Sequence, residues 1–91
     1  MNIVVQGTKE FSNYNVFLRA MGVALSDIND GEFNLYSVGP ANINSFTAEF
    51  CNLSEKSLKQ RGIKARYYKV PASFIEDNMK NFQYFAFLST P

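Results

Sequence analysis

The sequence predicts an α/β fold, a minimal Rossmann-like three-layer sandwich of about four mostly parallel strands with three helices, in one domain over residues 1–91. Two observations predict it. Short apolar runs rich in β-branched and aromatic residues alternate with segments whose apolar residues recur at helical spacing. The connections between them are short, so we expect right-handed crossovers between parallel strands.

The first strand and helix occupy the first 30 residues. A β-branched run predicts a strand at Ile3–Gln6, ended by Gly7. Ser12 or Asn13 can cap the helix that follows, and Asp27–Glu32 is predicted to be a solvated turn. The apolar positions of this helix recur at a spacing of about 3.6 residues and form a core-facing row. They are Tyr14, Phe17, Leu18, Met21, Leu25 and Ile28.

The second strand and helix follow the same plan. The strand is predicted at Phe33–Val38 and is stopped by Gly39-Pro40. Asn44 or Ser45 can cap the second helix, and Gly62 is placed as its C-terminal stop. One face of this helix is predicted to carry Phe46, Phe50, Leu53 and Ser57.

The last third of the chain contains two further strands and a short helix. The strands are predicted at Ile63–Val70 and Phe82–Leu88, with a helix from Pro71 to Met79 between them. Because Phe82–Leu88 has apolar residues on both faces, it is predicted to be an interior strand or a dimer contact. Three helices leave part of a two-faced sheet uncovered, so we expect a homodimer.

The composition excludes several classes of function. The net charge is +1, and the sequence has one cysteine, Cys51, and no histidine, which removes His-based catalysis, an internal disulfide and the usual zinc sites. We therefore expect no metal and no cofactor, and any chemistry would have to come from Asp, Glu, Lys, Tyr or Ser side chains. The sequence has neither a long apolar run nor a signal-peptide pattern, so we expect a cytoplasmic protein that does not contact a membrane.

Two glycine-containing loops mark the leading candidate site. They run from Gly7 to Ser12 and from Gly39 to Ser45, and each leads from a strand into a helix N-terminus. Ligands of parallel sheets bind beyond the carboxyl ends of the strands, and helix N-termini favour anions, so a phosphate is the simplest ligand. The alternative is that each glycine only permits the turn out of its strand.

These loops carry a family resemblance. Val5–Tyr14 resembles the opening of the SLOG superfamily, in particular its YspA-like branch: a strand, a glycine, a small, a basic and an acidic residue, a phenylalanine, and a helix with an early tyrosine. Gly39–Glu49 is similar to a worn form of the second signature of that branch, and Arg61-Gly62-Ile63 matches its helix exit. The resemblance covers roughly the first 70 residues.

The resemblance implies a Rossmannoid protein that binds nucleotides or nucleotide-derived signals between the two loops. Pro40 and Ile43 stand where the family has glycines, and the chain lacks the glycine-rich motif with glutamate of the hydrolytic members, which implies binding rather than catalysis. The resemblance implies that Gly7, Thr8 and Lys9 contact the phosphate or sugar. It also implies that the second loop forms the other wall of the pocket, with Gly39, Ala41, Asn42 and Ser45.

A softer resemblance concerns composition. Ten Asn, nine Phe, no Trp and no His resemble the small accessory proteins of T-even-like phages, which inhibit host enzymes or defences. It implies a phage-type inhibitor or counter-defence regulator in the cytoplasm of the host cell, with a host protein as a further partner.

A basic segment in the second half is a competing site. Residues 1–50 carry two basic and five acidic groups, and residues 51–91 carry seven basic and three acidic groups. Such cations neutralise phosphates and a tyrosine stacks on bases, which predicts binding of RNA or another single-stranded nucleic acid. The alternative is that the lysines complement a helix dipole and protect an edge strand. The segment contains Lys56, Lys59, Arg61, Lys64, Arg66, Tyr68 and Lys69.

Three further groups of residues are weaker candidates for a functional site. Glu49 would be the acid/base group of a small nucleotide hydrolase, a further alternative function. Cys51 is predicted to be a small core residue rather than a reactive thiol. Asp27, Asp30 and Glu32 lack the spacing of a calcium loop. The leading hypothesis is a non-enzymatic protein that binds phosphate-bearing nucleotide ligands.

Overall fold

The computed structural model describes residues 1–28 and 31–89 and confirms the α/β fold. Within these residues four parallel strands form one sheet in the order β3-β2-β1-β4, with three α-helices and one short 3₁₀ helix. In chain order the elements are β1 (Asn2–Gly7), α1 (Tyr14–Leu25), β2 (Gly31–Gly39), α2 (Ala41–Gln60), β3 (Ile63–Lys69), α3 (Ala72–Asp77), the 3₁₀ helix (Met79–Asn81) and β4 (Tyr84–Leu88).

The two faces of the sheet are covered unequally. Helices α1 and α2 contribute to the larger hydrophobic core, which includes Ile3 and Val5 of β1. The intervening Val4 points to the opposite face, where it packs with Ile75 of α3 and Phe82 in a smaller cluster. All three β1 side chains are buried because a parallel strand in the middle of a sheet is covered on both faces.

Helix α1 begins as the sequence predicted, and of the two capping candidates the structure selects Asn13. The side chain of Asn13 accepts a hydrogen bond from the backbone N–H of Val16 at 3.2 Å. Phe17 and Met21 are fully buried, whereas Leu18 is partly exposed to solvent. The predicted core-facing row therefore included one residue, Leu18, that remains partly exposed.

Helix α2 begins three residues before the predicted cap. Pro40 precedes the first helical residue, and Asn44 lies inside the helix, where its side-chain oxygen accepts a hydrogen bond from the hydroxyl of Ser37 at 2.5 Å. The buried row also differs from the predicted one, and Leu53, predicted to lie on one face with Phe46 and Phe50, is 67% exposed. The side chains that α2 buries are Ile43, Thr47, Phe50 and Leu58.

The end of α2 agrees with the prediction. Gly62 has a φ of +76°, and its N–H donates to the carbonyl oxygen of Lys59 at 3.0 Å. A glycine adopts this left-handed conformation without the steric cost that a Cβ atom brings. Gly62 therefore turns the chain from α2 directly into β3.

Strand β4 does not lie in the interior of the sheet. It pairs with β1 and forms one edge, and β3 forms the other. Its aromatic residues Phe85 and Phe87 are 55% and 64% exposed. Only one face of this strand is covered. Its residues pack on the larger core, whereas the other face presents phenylalanines to solvent.

Candidate functional site

The two glycine-containing loops are neighbours at the carboxyl ends of β1 and β2. The side-chain amide of Asn42, in the first turn of α2, donates hydrogen bonds to the carbonyl oxygens of Thr8 at 3.1 Å and Phe11 at 2.8 Å. These bonds fix the start of α2 against the β1–α1 loop. The structure therefore brings together the two loops that were predicted to form the site. The Asn42 amide, predicted to contact a ligand, hydrogen-bonds one loop to the other.

Packing and backbone conformation explain both glycines. A Cβ atom on Gly7 would overlap the carbonyl oxygen of Leu88 and lie 2.8 Å from Cδ1 of Ile43. Gly39 has a φ of +106°, which strongly favours glycine, and its peptide bond to Pro40 is cis. The structure therefore supports the alternative interpretation, in which each glycine only permits the turn out of its strand.

The remaining residues of this predicted site form an exposed surface. Lys9, Ala41 and Ser45 are exposed, and Ile43 is completely buried between the loops. The hydroxyl oxygen of Thr8 is buried and has no hydrogen-bond partner among the described residues. Lys9 and Ser45 therefore present polar groups to solvent, whereas the Thr8 hydroxyl lies beneath the surface.

The basic segment is divided between the two faces of the sheet. Side chains alternate along a strand, so Lys64, Arg66 and Tyr68 point to the α3 face, whereas Ile63 and Ala65 pack on the core beneath α2. Lys56, Lys59 and Arg61 belong to α2 and its C-terminal end, on the opposite side. The seven residues predicted as one nucleic-acid-binding site therefore do not share one face of the sheet.

The other members of the segment are placed as follows. Arg61 donates a long hydrogen bond of 3.5 Å to the carbonyl oxygen of Ile28. Lys69 pairs with Ser37 in the β2–β3 register, on the side of α2. Lys59 and Lys64 meet with Glu55 at an open groove of about 400 Å³ along the edge of the sheet.

An acidic residue that is distant in the sequence lies beside Arg66. The guanidinium group of Arg66 lies 3.4 Å from the carboxylate of Glu32 on β2, and both side chains are partly exposed. The pKa of Arg66 is raised by a hydrogen bond with the Tyr68 side chain and by the charge of Glu32. No local pattern indicates this pair, because Glu32 and Arg66 are 34 positions apart and become diagonal neighbours only through the β2–β3 register.

An aromatic row crosses the α3 face next to these cations. The rings of Tyr68 and Tyr36 are stacked, with centroids 4.8 Å apart and an interplanar angle of 15°. Tyr36 also stacks with Phe74 of α3 at 5.6 Å and contacts Phe82 edge-on at 5.2 Å. Burial, the charge of Tyr68 and the charge of Glu32 raise the pKa of Tyr36. Of this row, only Tyr68 was predicted from the sequence to contact a ligand.

A small groove lies beside the aromatic row. It has a volume of about 250 Å³ and combines three aromatic rings with three asparagine side chains, none of them charged. No local pattern indicates this groove, because its residues come from β1, β2 and the stretch 74–82, which are distant from one another in the sequence. The lining consists of Asn2, Tyr36, Phe74, Asn78, Asn81 and Phe82.

Among the described residues, the weaker candidates form no metal-binding cluster. Glu49 is exposed on α2, and its charge contributes to the raised pKa of Tyr14. Cys51 is partly buried against the larger core, where desolvation raises the pKa of its thiol to about 11. Asp27 accepts a hydrogen bond from the hydroxyl of Tyr84, Glu32 pairs with Arg66, and Asp30 lies outside the described residues.

Comparison with known proteins gives no relative. No protein-family model, curated protein or solved structure matches the chain significantly. Over residues 1–28 and 31–89, no helix is both long and apolar enough to cross a membrane.

Proposed function

We propose that this protein is a non-enzymatic binding protein for single-stranded nucleic acid. The binding surface, which we call the aromatic face, consists of Lys64, Arg66 and Tyr68 on β3, Tyr36 on β2 and Phe74 on α3. The observation that carries the proposal is the stacked pair of Tyr36 and Tyr68 at the sheet edge, beside two cations on the same face.

The stacked pair favours a nucleobase as the ligand. Tyr68 lies on the edge strand of the sheet that the described residues form, so Tyr36 covers one side of its ring and no strand follows on the other. A base that stacks on Tyr68 extends a row already ordered by Tyr36 and Phe74, which lowers the entropy cost of binding. Stacking accepts any base, because every base has a π-face.

The cations are positioned for the sugar–phosphate backbone. Arg66 and Lys64 lie two and four residues before Tyr68, which places them about 7 and 13 Å along the strand from the ring. An extended nucleic acid strand whose base stacks on Tyr68 therefore passes both side chains. Glu32 holds Arg66 in the free protein, so a phosphate must compete with a carboxylate for it.

The test is the salt dependence of binding to labelled RNA and DNA oligonucleotides, followed by fluorescence anisotropy. The double variant Lys64→Gln with Arg66→Gln should weaken binding and reduce the slope of log K against log salt by about 1.4, since each phosphate contact to a single strand contributes about 0.7. The matched control is Arg19→Gln with Lys56→Gln. This control also removes two positive charges, but from exposed residues of α1 and α2, which lie on the opposite side of the sheet.

A variant of the aromatic row tests the stacking contact separately. Tyr68→Leu should cost about 1–3 kcal/mol of binding free energy, whereas Tyr68→Phe keeps the ring and should retain most of it. Binding that is lost equally in the test and control pairs would show that net charge, and not the aromatic face, holds the oligonucleotide. Absence of binding at low salt would refute the proposal.

The second candidate is a phosphate-bearing nucleotide at the two loops, which the buried, unpartnered hydroxyl of Thr8 favours. This hypothesis includes the SLOG-like role implied by the resemblance. Mass analysis of material extracted from the freshly purified protein would detect such a ligand. The double variant Thr8→Val with Lys9→Gln should abolish its retention, and Lys80→Gln, a control outside both loops, should not. A protein free of small nucleotides would count against this candidate.

The biological setting stays a prediction. A phage-type inhibitor or counter-defence regulator in the host cytoplasm is compatible with either ligand. A homodimer would cover the exposed Phe85 and Phe87, and sedimentation equilibrium would report twice the mass of 10.3 kDa. Turnover of nucleotides that Glu49→Gln abolishes would instead support the hydrolase.

A further inference from the structure

We infer that the groove beside the aromatic row takes a single adenine base. The inference rests on the proposed function, because the base would belong to the strand held on the aromatic face. It adds a preference for one base to a surface that otherwise accepts any sequence.

The size and the walls of the groove suit one planar heterocycle. Its volume of about 250 Å³ is below the range of about 300–1,000 Å³ that accommodates drug-sized ligands. Tyr36 and Phe74 stack on each other, and Phe82 meets Tyr36 at an interplanar angle of 82°, so the aromatic rings form rigid apolar walls. Phe74 is partly exposed, so one ring at the groove can be reached from solvent.

The polar lining is neutral and ordered by its own hydrogen bonds. The Asn2 amide donates to the carbonyl oxygen of Asn81 at 2.8 Å, and the Asn78 amide donates to the carbonyl oxygen of Phe74 at 2.8 Å. A lining without a charged group disfavours a phosphate and favours a neutral ligand with donors and acceptors along its edge. A nucleobase is such a ligand.

Asn81 provides the specific contact. Its amide nitrogen makes one long bond of 3.4 Å to Asn78 Oδ1, which leaves the second N–H free, and its Oδ1 has no donor among the described residues. An asparagine with one donor and one acceptor available pairs bidentately with N6 and N7 of adenine. Because Asn81 is exposed at the groove, a base can reach this edge.

A buried acceptor beside the groove also favours a ligand that donates. Asn34 donates through its amide to Asn2 Oδ1 at 3.0 Å, but its own Oδ1 is buried with no partner among the described residues. This unpartnered acceptor is matched by a ligand that carries a donor, such as the exocyclic amine of adenine. Asn34 also pairs with Arg66 in the β2–β3 register, which links the groove to the phosphate-binding cations.

The experiment compares the affinities of oligo(A) and oligo(U) of equal length at one salt concentration. The unmodified protein should bind oligo(A) at least about 5-fold more tightly, the lower end of the discrimination expected for a bidentate pair. Asn81→Ala should remove the preference and leave the affinity for oligo(U) unchanged. The control Asn52→Ala, an exposed position on α2, should keep the preference.

Each outcome separates this inference from the proposed function. Equal binding of both oligonucleotides, or a preference that survives Asn81→Ala, overturns the adenine site and leaves the aromatic face intact. If neither oligonucleotide binds, the proposed function fails, and adenosine monophosphate is titrated while the side-chain amide signals of Asn78 and Asn81 are followed by NMR. Shifts at these signals support the groove as a site for free nucleotide, and unchanged signals overturn it.

Discussion

Gly7 lies against the backbone of Leu88, so closely that a Cβ atom at residue 7 would overlap the Leu88 carbonyl oxygen. The two residues are register partners at the carboxyl ends of β1 and β4, and the N–H of Thr8 donates to the same oxygen at 2.9 Å. The first glycine of the loop therefore serves the pairing of two strands. A glycine after a strand leaves room that either a phosphate or a neighbouring strand can occupy. The sequence pattern is the same in both cases.

Gly7→Ala should destabilise the fold. The new methyl group must displace either the backbone of β4 or the side chain of Ile43, and such overpacking costs about 1–3 kcal/mol. Gly22→Ala is the control, because a Cβ atom there meets nothing within 4 Å and the residue lies inside α1. It should raise the free energy of unfolding by about 0.5–1 kcal/mol. Urea denaturation measures both, and an unchanged stability of Gly7→Ala would contradict the packing.

Asn42→Ala should loosen the contact between α2 and the β1–α1 loop. The substitution removes donors to the carbonyl oxygens of Thr8 and Phe11, so we expect a loss of about 1–3 kcal/mol. Asn52→Ala on the exposed face of the same helix should be neutral or slightly stabilising, because alanine is the better helix former. If both variants have the same denaturation midpoint, the Asn42 amide does not hold the two loops together.

Glu32→Gln should strengthen nucleic acid binding. The carboxylate of Glu32 occupies Arg66 in the free protein, and its neutralisation makes the guanidinium available to a phosphate. Because solvent screens this pair, the affinity should rise only a few-fold. Glu49→Gln makes the same change of charge on the exposed surface of α2 and is the control. Equal gains in both variants would indicate a general effect of net charge.

Cys51 should make the stability of the fold depend on pH in the alkaline range. The ordinary thiol pKa of 9.0 applies to the unfolded chain, and burial raises it to about 11 in the folded chain. Between these two values the unfolded state loses the proton first. The free energy of unfolding should therefore fall as the pH rises from 9 towards 11, and the contribution is fully present below pH 9.

The variant Cys51→Ala identifies this contribution. Its stability should fall less steeply between pH 9 and 11 than that of the unmodified protein, although tyrosines such as Tyr36 and Tyr67, whose pKa values burial also raises, still contribute in both proteins. Alkylation of the thiol at pH 8 should be slower in the folded than in the urea-unfolded protein. Equal alkylation rates would show that Cys51 is accessible in the folded state.

Local patterns predicted the elements and several of their ends. The β-branched run at Ile3–Gln6 and the cap at Asn13 needed information from only a few neighbouring residues, and both were confirmed. The start of α2 was predicted wrongly, because Asn44 resembles a capping residue. In the fold its side chain hydrogen-bonds Ser37, on a strand that packs beneath the helix. That contact depends on tertiary structure and has no local signal.

The sequence by itself determined the α/β fold, the order of its elements and the face on which each strand residue lies. These follow from periods of 2.0 and 3.6 residues, which the covalent geometry of the backbone imposes. Tertiary structure decided the register, and with it which side chains from different strands meet. Tyr36 stacks on Tyr68, Glu32 pairs with Arg66, and Phe85 and Phe87 lie on an edge strand because whole elements pack and pair in one arrangement. Register depends on the fit of both sheet faces at once, and no short segment of the chain contains that information.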